Sequence, residues 1–248
     1  MSGLYAMETV RAADGIIHDV GAAWMLDPAT PERGEQVGYD NPFAFYFAGR
    51  GGVLGDVDAG VVSAAMGWFP PQVVRLFWDE GVAVAGAREA ARRYTATCAE
   101  WGREHVGDAG GERLCELAGR VVDAAEGSGL PLFCGWRAEP LPDDVPARTA
   151  QLVHVLREWR GALHLVATTA AGLAPLEAVL AGSDEGRARF LGWRGDLPDC
   201  SALKGRWAEA EETTDRLAAA VYERALSPAE RAEYAELIRA VGAASLGR

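Results

Sequence analysis

Apolar residues recur along the chain at spacings of three and four, the period of an α-helix, and almost nowhere alternate as they do in a strand. The longest clean pattern runs from Arg148 to Ala181. On a helical wheel of 100° per residue, Leu152, Val155, Leu156, Trp159, Ala162, Leu163 and Val166 form one apolar stripe. His154, Arg157, Gly161 and His164 fall on a narrow ridge opposite it. The same period predicts helices over 7–26, 41–50, 58–67, 70–79, 87–106, 111–126, 175–181, 184–192, 201–226 and 228–244.

Punctuation agrees with these boundaries. Asn41-Pro42 supplies an N-cap and an N1 proline, and Ser227-Pro228-Ala229-Glu230 reads as a capping box. Gly172 can close the long helix in the left-handed region. Pro28, Pro31 and Gly34 mark 27–38 as a loop. Four prolines and three glycines between Gly127 and Pro146 mark a linker. The expected fold class is all-α, a bundle derived from helix-turn-helix or winged-helix units in two similar tandem halves. One half spans 1–128, a linker spans 129–146, and a second half spans 147–248. RLFWDEG at 75–81 lies over RFLGWRGD at 189–196, with Trp78 near Trp193, as in an internal duplication. Gly192 to Ser201 is the only room in the second half for a winged-helix hairpin.

Charge narrows the function. Thirty-six acidic residues against 24 basic ones give a net charge of −12, whereas DNA affinity comes mainly from neutralising phosphates with Lys and Arg. Nucleic acid is therefore a disfavoured partner. Lys204 is the only lysine, so nearly every cation is an arginine, suited to bidentate ion pairs and to gripping anions. No apolar run reaches the ~18–20 residues of a membrane span, and no export signal opens the chain, so a cytoplasmic protein is expected. Cys98, Cys115, Cys134 and Cys200 lack metal-ligand spacing and are expected as free thiols.

Candidate chemistry gathers in two places. Phe43, Phe45, Tyr46 and Phe47 precede Arg50 in a glycine-rich stretch that fits neither a P-loop nor a dinucleotide fingerprint. His154 and His164 are ten residues apart on one helix, ~15 Å at 1.5 Å per residue, too far to share a metal ion. The ridge thus reduces to Arg157, Gly161 and His164. His164 paired with His18, or with Arg157 or Arg160 as an acid–base pair, stays open, and His164 is the candidate catalytic residue. The candidate ligand-binding set is His18, Phe43, Tyr46, Phe47, Arg50, Trp78, Arg157, Trp159, Arg160 and His164. Arg50 or Arg157 would pair with an anionic group, and Trp78 or Trp159 would stack on a ring. No cofactor and no metal are expected.

Three stretches carry a family resemblance. Tyr46-Phe-Ala-Gly-Arg-Gly-Gly-Val-Leu-Gly55 with the following Phe69-Pro70 helix, Leu156-Arg-Glu-Trp-Arg-Gly-Ala-Leu-His164, and the Ile17-His18 step resemble an actinobacterial, SalK-like, helix-turn-helix family. Trp159 and Ala162 depart from its pattern, which usually has His and Asp there. Residues 201–244, with their L-S-P-A-E-R step, are similar to the closing helices of MarR-type regulators, which implies a homodimer through those helices. The resemblance implies a helix-turn-helix scaffold and a place in secondary metabolism or its regulation. The favoured function is binding of an anionic or aromatic small molecule; a DNA-binding regulator and a cofactor-free or His-dependent biosynthetic enzyme are the alternatives.

Overall fold

A computed structural model describes residues 3–247. They form helices throughout: α1 (Ala6–Leu26), α2 (Ala29–Gln36), α3 (Pro42–Gly51), α4 (Ala59–Met66), α5 (Pro71–Ala85), α6 (Ala87–His105), α7 (Gly111–Ala124), α8 (Pro131–Arg137), α9 (Val145–Ala170), α10 (Pro175–Gly182), α11 (Glu185–Phe190), α12 (Lys204–Ala225) and α13 (Pro228–Leu246). Two short 3-10 turns, Gly52–Leu54 and Ser201–Leu203, complete the set. There is no strand among the described residues, so Gly192 to Ser201 forms no wing.

The cap chemistry is realised locally. The Asn41 side chain accepts from the Phe43 amide, Asp144 accepts from that of Ala147 at the start of α9, and Ser227 and Glu230 cap α13 reciprocally. Between α4 and α5 the chain turns at Gly67, whose φ of 68° suits glycine. A Cβ there would also strike the Leu165 side chain on α9. This turn therefore lies directly on α9.

Two segments expected as loops are helical. Residues 27–38 contain α2 and 127–146 contain α8. In both cases a proline taken for a breaker sits in a first turn, where its missing N–H has no partner to lose. Leu132, Phe133 and Trp136 of α8 are buried, so the expected linker is part of the interior. Buried residues from either side of it, such as Phe45 and Trp101 before and Trp159 and Tyr222 after, belong to one continuous core.

That core is wrapped around α9, which packs against α1, α6, α7, α8 and α12. From Ala150 to Leu156 every residue of α9 is buried, whichever way it faces. From Arg160 to Leu165 every residue is half-buried, and Val166 is exposed. The apolar stripe read from the sequence thus describes only part of a helix that is central along its first half and lines an open surface along its second. Beside that surface, Val179, Ala188 and Leu191 of α10, α11 and the following turn form a separate small cluster with Trp68, Phe69 and Trp193. It is tied to the turn after α4 by the Trp193 Nε1–H, which donates to the Trp68 carbonyl at 3.0 Å.

Candidate functional site

Most of the predicted site residues fall in three environments, and the rest are scattered. The first is a buried charged cluster where α3, α6 and α9 meet. Arg50 donates through Nε and Nη2 to the two Glu158 oxygens, at 3.0 and 2.8 Å, and through Nη1 to the Tyr46 hydroxyl at 2.7 Å. Its guanidinium is fully engaged within the protein. Arg157 reaches the same carboxylate only through Nη1, at 2.8 Å. Its Nε is buried with no partner, as is the Tyr94 hydroxyl. Two guanidinium cations therefore face one carboxylate. Burial works against the charge of Glu158, yet Arg50 and then Arg157 hold its pKa down at about 2. Burial lowers the pKa of Arg157, Glu158 raises it and Arg50 lowers it.

His154 belongs to this interior and not to an open ridge. It is 0% exposed, ringed by Trp24 and Trp136. Its Nδ1 lies 3.3 Å from Trp24 Nε1 and 3.2 Å from the Gly21 carbonyl. Burial pushes its pKa down to about 4, leaving a neutral imidazole at pH 7. The ridge reading fails here because α1 and α8 cover this part of α9.

The second environment is the middle of α9, where the ridge does open. The Arg157 side chain is 16% exposed and its stem lies against Gly21, where a Cβ would come within 2.8 Å of it. One turn on, a Cβ at Gly161 would meet nothing within 4 Å. His18, one turn before Gly21 on α1, has its pKa lowered by desolvation, then by the positive field of Arg157, against which Asp19 acts, and more weakly by Arg187 of α11. Arg157 and, more weakly, Arg187 thus make this stretch positive enough to favour the neutral form of His18.

The third lies at the far end of that stretch. Thr214 donates to the Ala210 carbonyl at 2.8 Å. A hydroxyl has one proton to give, so its oxygen accepts from His164 Nδ1 at 3.1 Å. The Glu211 carboxylate lies 3.4 Å from the same nitrogen. Nδ1 therefore carries the proton and Nε2 the lone pair, with no hydrogen-bond partner for Nε2 among the described residues. Burial lowers the His164 pKa, although Glu211 opposes this. Trp68 lies at 31° to the ring with centroids 5.5 Å apart, and Trp207 stands edge-on at 6.0 Å. Arg160 is not a free cation on this surface: it grips Asp14 at 2.9 Å, Glu211 at 3.0 Å and Asp215 at 2.9 Å. Asp14 also accepts from the Tyr222 hydroxyl at 2.9 Å, and burial pushes its pKa up to about 6.

The remaining predicted residues lie elsewhere. Phe47 is core, Phe43 is 58% exposed and stacked on Phe77, and Trp159 is buried against Tyr222. Trp78 is buried beneath a depression edged by Asp56 and Asp58. An apolar groove of about 750 Å³, lined by Phe69, Leu165, Val166 and Trp193 among others, lies on the face of α9 turned away from Arg157. Sequence reasoning passed over Glu158, Tyr94, Asp14, Glu211, Thr214, Trp68 and Trp207. Glu158 carried a signal, an acid directly between Arg157 and Trp159 within the resemblance stretch. The others had none, because their partners are remote in sequence. Among the described residues, no group of three or more His, Cys, Asp or Glu side chains is arranged to hold a metal ion. No single described helix is long and apolar enough to cross a membrane.

Comparisons with curated proteins and with solved structures return no match. Residues 10–197 match the model of a helix-turn-helix family. That span runs from α1 through both short-helix pairs, α4–α5 and α10–α11, and contains Arg50, Arg157, Glu158 and His164. The chain belongs to this helix-turn-helix family.

Proposed function

We propose that the protein binds a small anionic ligand on its helix-turn-helix scaffold, in the cleft along the middle of α9, with Arg157 as the anion contact. One observation carries this reading: Arg157 holds a partnerless buried Nε beside a carboxylate whose two oxygens are already bound by Arg50. Buried charges are stable when paired, and an anion meeting the 16% of the Arg157 side chain that is exposed supplies the missing countercharge. Arg50, by contrast, acts from behind, fixing Glu158 and Tyr46. Isothermal titration with a panel of aromatic carboxylates tests the reading. Binding to the wild type that weakens at least tenfold in Arg157→Gln supports it; binding unchanged by that substitution contradicts it.

Family membership favours a second reading, in which the protein contacts DNA. Its best surface is α11 and the following turn, with Arg187 and Arg194 exposed and Arg189 half-buried. The exposed Asp184, Glu185 and Asp196 offset them, and α5 offers only Arg75 beside Asp79 and Glu80. Salt-sensitive retardation of the protein's own promoter fragment at ~150 mM salt would establish this reading, since phosphate contacts dominate such affinity. The charge balance leads us to expect none.

A further inference from the structure

Arg157 and His164 lie seven residues apart on one face of α9, about 10 Å along the axis. The helix surface between them is bare at Gly161, where an added Cβ would touch nothing. The two ends of this strip differ in sign. At one end stand Arg157 and the field of Arg187, which together with burial lower the pKa of His18 and favour its neutral form. At the other, three carboxylates, Asp14, Glu211 and Asp215, surround the single guanidinium of Arg160. At this acidic end His164 keeps a lone pair on Nε2, since Thr214 and Glu211 hold the proton on Nδ1. Trp68 and Trp207 pack against the His164 ring, the first tilted at 31° and the second edge-on, and make this end aromatic.

An anion fits only the first end. At the second end, another acceptor would meet a lone pair and a surplus of carboxylates, whereas an N–H or O–H donor would meet its complement. The indole faces suit a ring more than a flexible chain. Building on the Arg157 anion site, we propose that the cleft selects a flat aromatic carboxylate bearing a hydroxyl or amine hydrogen-bond donor at the end remote from its carboxylate. The carboxylate pairs with Arg157, the ring crosses Gly161 beside Trp68, and the donor ends on His164 Nε2. His164 is then a specificity-determining residue that recognises the substituent and contributes little to holding the acid.

Isothermal titration with 3-(4-hydroxyphenyl)propionate and 3-phenylpropionate tests this on the folded full-length protein. Wild type is expected to prefer the phenol by about tenfold, the size of one good hydrogen bond to an otherwise unpaired acceptor. Arg157→Gln should weaken both ligands together. His164→Phe should abolish the preference, so that the two ligands bind alike. Equal binding of the two ligands by wild type, lost in Arg157→Gln, overturns the donor end and leaves the anion site standing. Failure of both ligands to bind wild type, while simpler carboxylates still bind in an Arg157-dependent way, overturns the aromatic, end-to-end placement. Failure of every carboxylate overturns the anion site as well. Should His164→Phe not fold, Thr214→Val frees the ring tautomer and should reduce the same preference, and the wild-type pair decides by itself.

Discussion

Substituting Glu158 by glutamine would leave Arg50 and Arg157 facing each other across a neutral amide in a site with almost no solvent. Removing one partner of a buried pair costs about 3–5 kcal/mol, because the remaining charge is stranded. Glu158→Gln is therefore expected to lower the urea midpoint by that equivalent with an unchanged slope. The titrating groups make a second expectation. Asp14, raised to about 6 from 3.8, stabilises the fold at low pH, and that contribution is lost as pH rises from about 4 to 6. His154, lowered to about 4 from 6.5, does the reverse: its contribution is present above 6.5 and lost as pH falls toward 4. In wild type the two slopes oppose each other across this window. Asp14→Asn removes the opposing Asp14 slope and leaves that of His154, joined by those of His18 and His164, so stability should fall more steeply than in wild type between pH 6.5 and 4.5. Denaturant midpoints measured across that range check it through the slope, whatever the variant's absolute stability. At this scale the sequence showed which residues of α9 share a face, and so brought Arg157, Gly161 and His164 together. It could not show that His154 on the same face is covered by α1, or that Glu158 meets Arg50 from 108 residues away.

Among the elements, α9 is the one whose two halves have different duties. Its first half is core, and its second half borders a half-open surface. Gly161 sits where they meet. Because a Cβ there meets no atom, Gly161→Ala should gain about 0.5–1 kcal/mol of helix stability. The bulkier Gly161→Leu would fill the strip between Arg157 and His164 and abolish carboxylate binding in a folded protein. Gly21→Ala behaves differently: its Cβ collides with the Arg157 stem, so it should lower both thermal stability and ligand affinity. Calorimetric unfolding together with titration separates the three variants. Ten of the thirteen helices are close to where the apolar period and caps place them. The period ends α5 at 79 although the helix continues to Ala85, and α2 and α8 are hidden in the sequence because Pro28, Pro31 and Pro131 look like punctuation. Each of these prolines sits at a helix N-cap or in a first turn, and the same chemistry that interrupts a helix is compatible with starting one.

For the molecule as a whole, the all-α class follows directly from the period, and the family match over 10–197 agrees with a helix-turn-helix scaffold. The arrangement of helices about α9 does not follow from the period, because a helix buried on all sides and a helix buried on one side share the same repeat once its charges pair internally. Trp24, Trp136 and Trp159 close the core around it, across the segment that composition marked as a linker. The net charge of −12 leaves the cations at Arg157 and Arg187 as a local exception, where an anion is drawn in against the general field. The most direct test compares one ligand in two charge states. Isothermal titration of wild type with an aromatic carboxylate and with its primary amide should show binding of the acid alone, and Arg157→Gln should erase that discrimination. Equal affinity for acid and amide, or discrimination that survives Arg157→Gln, would contradict the account.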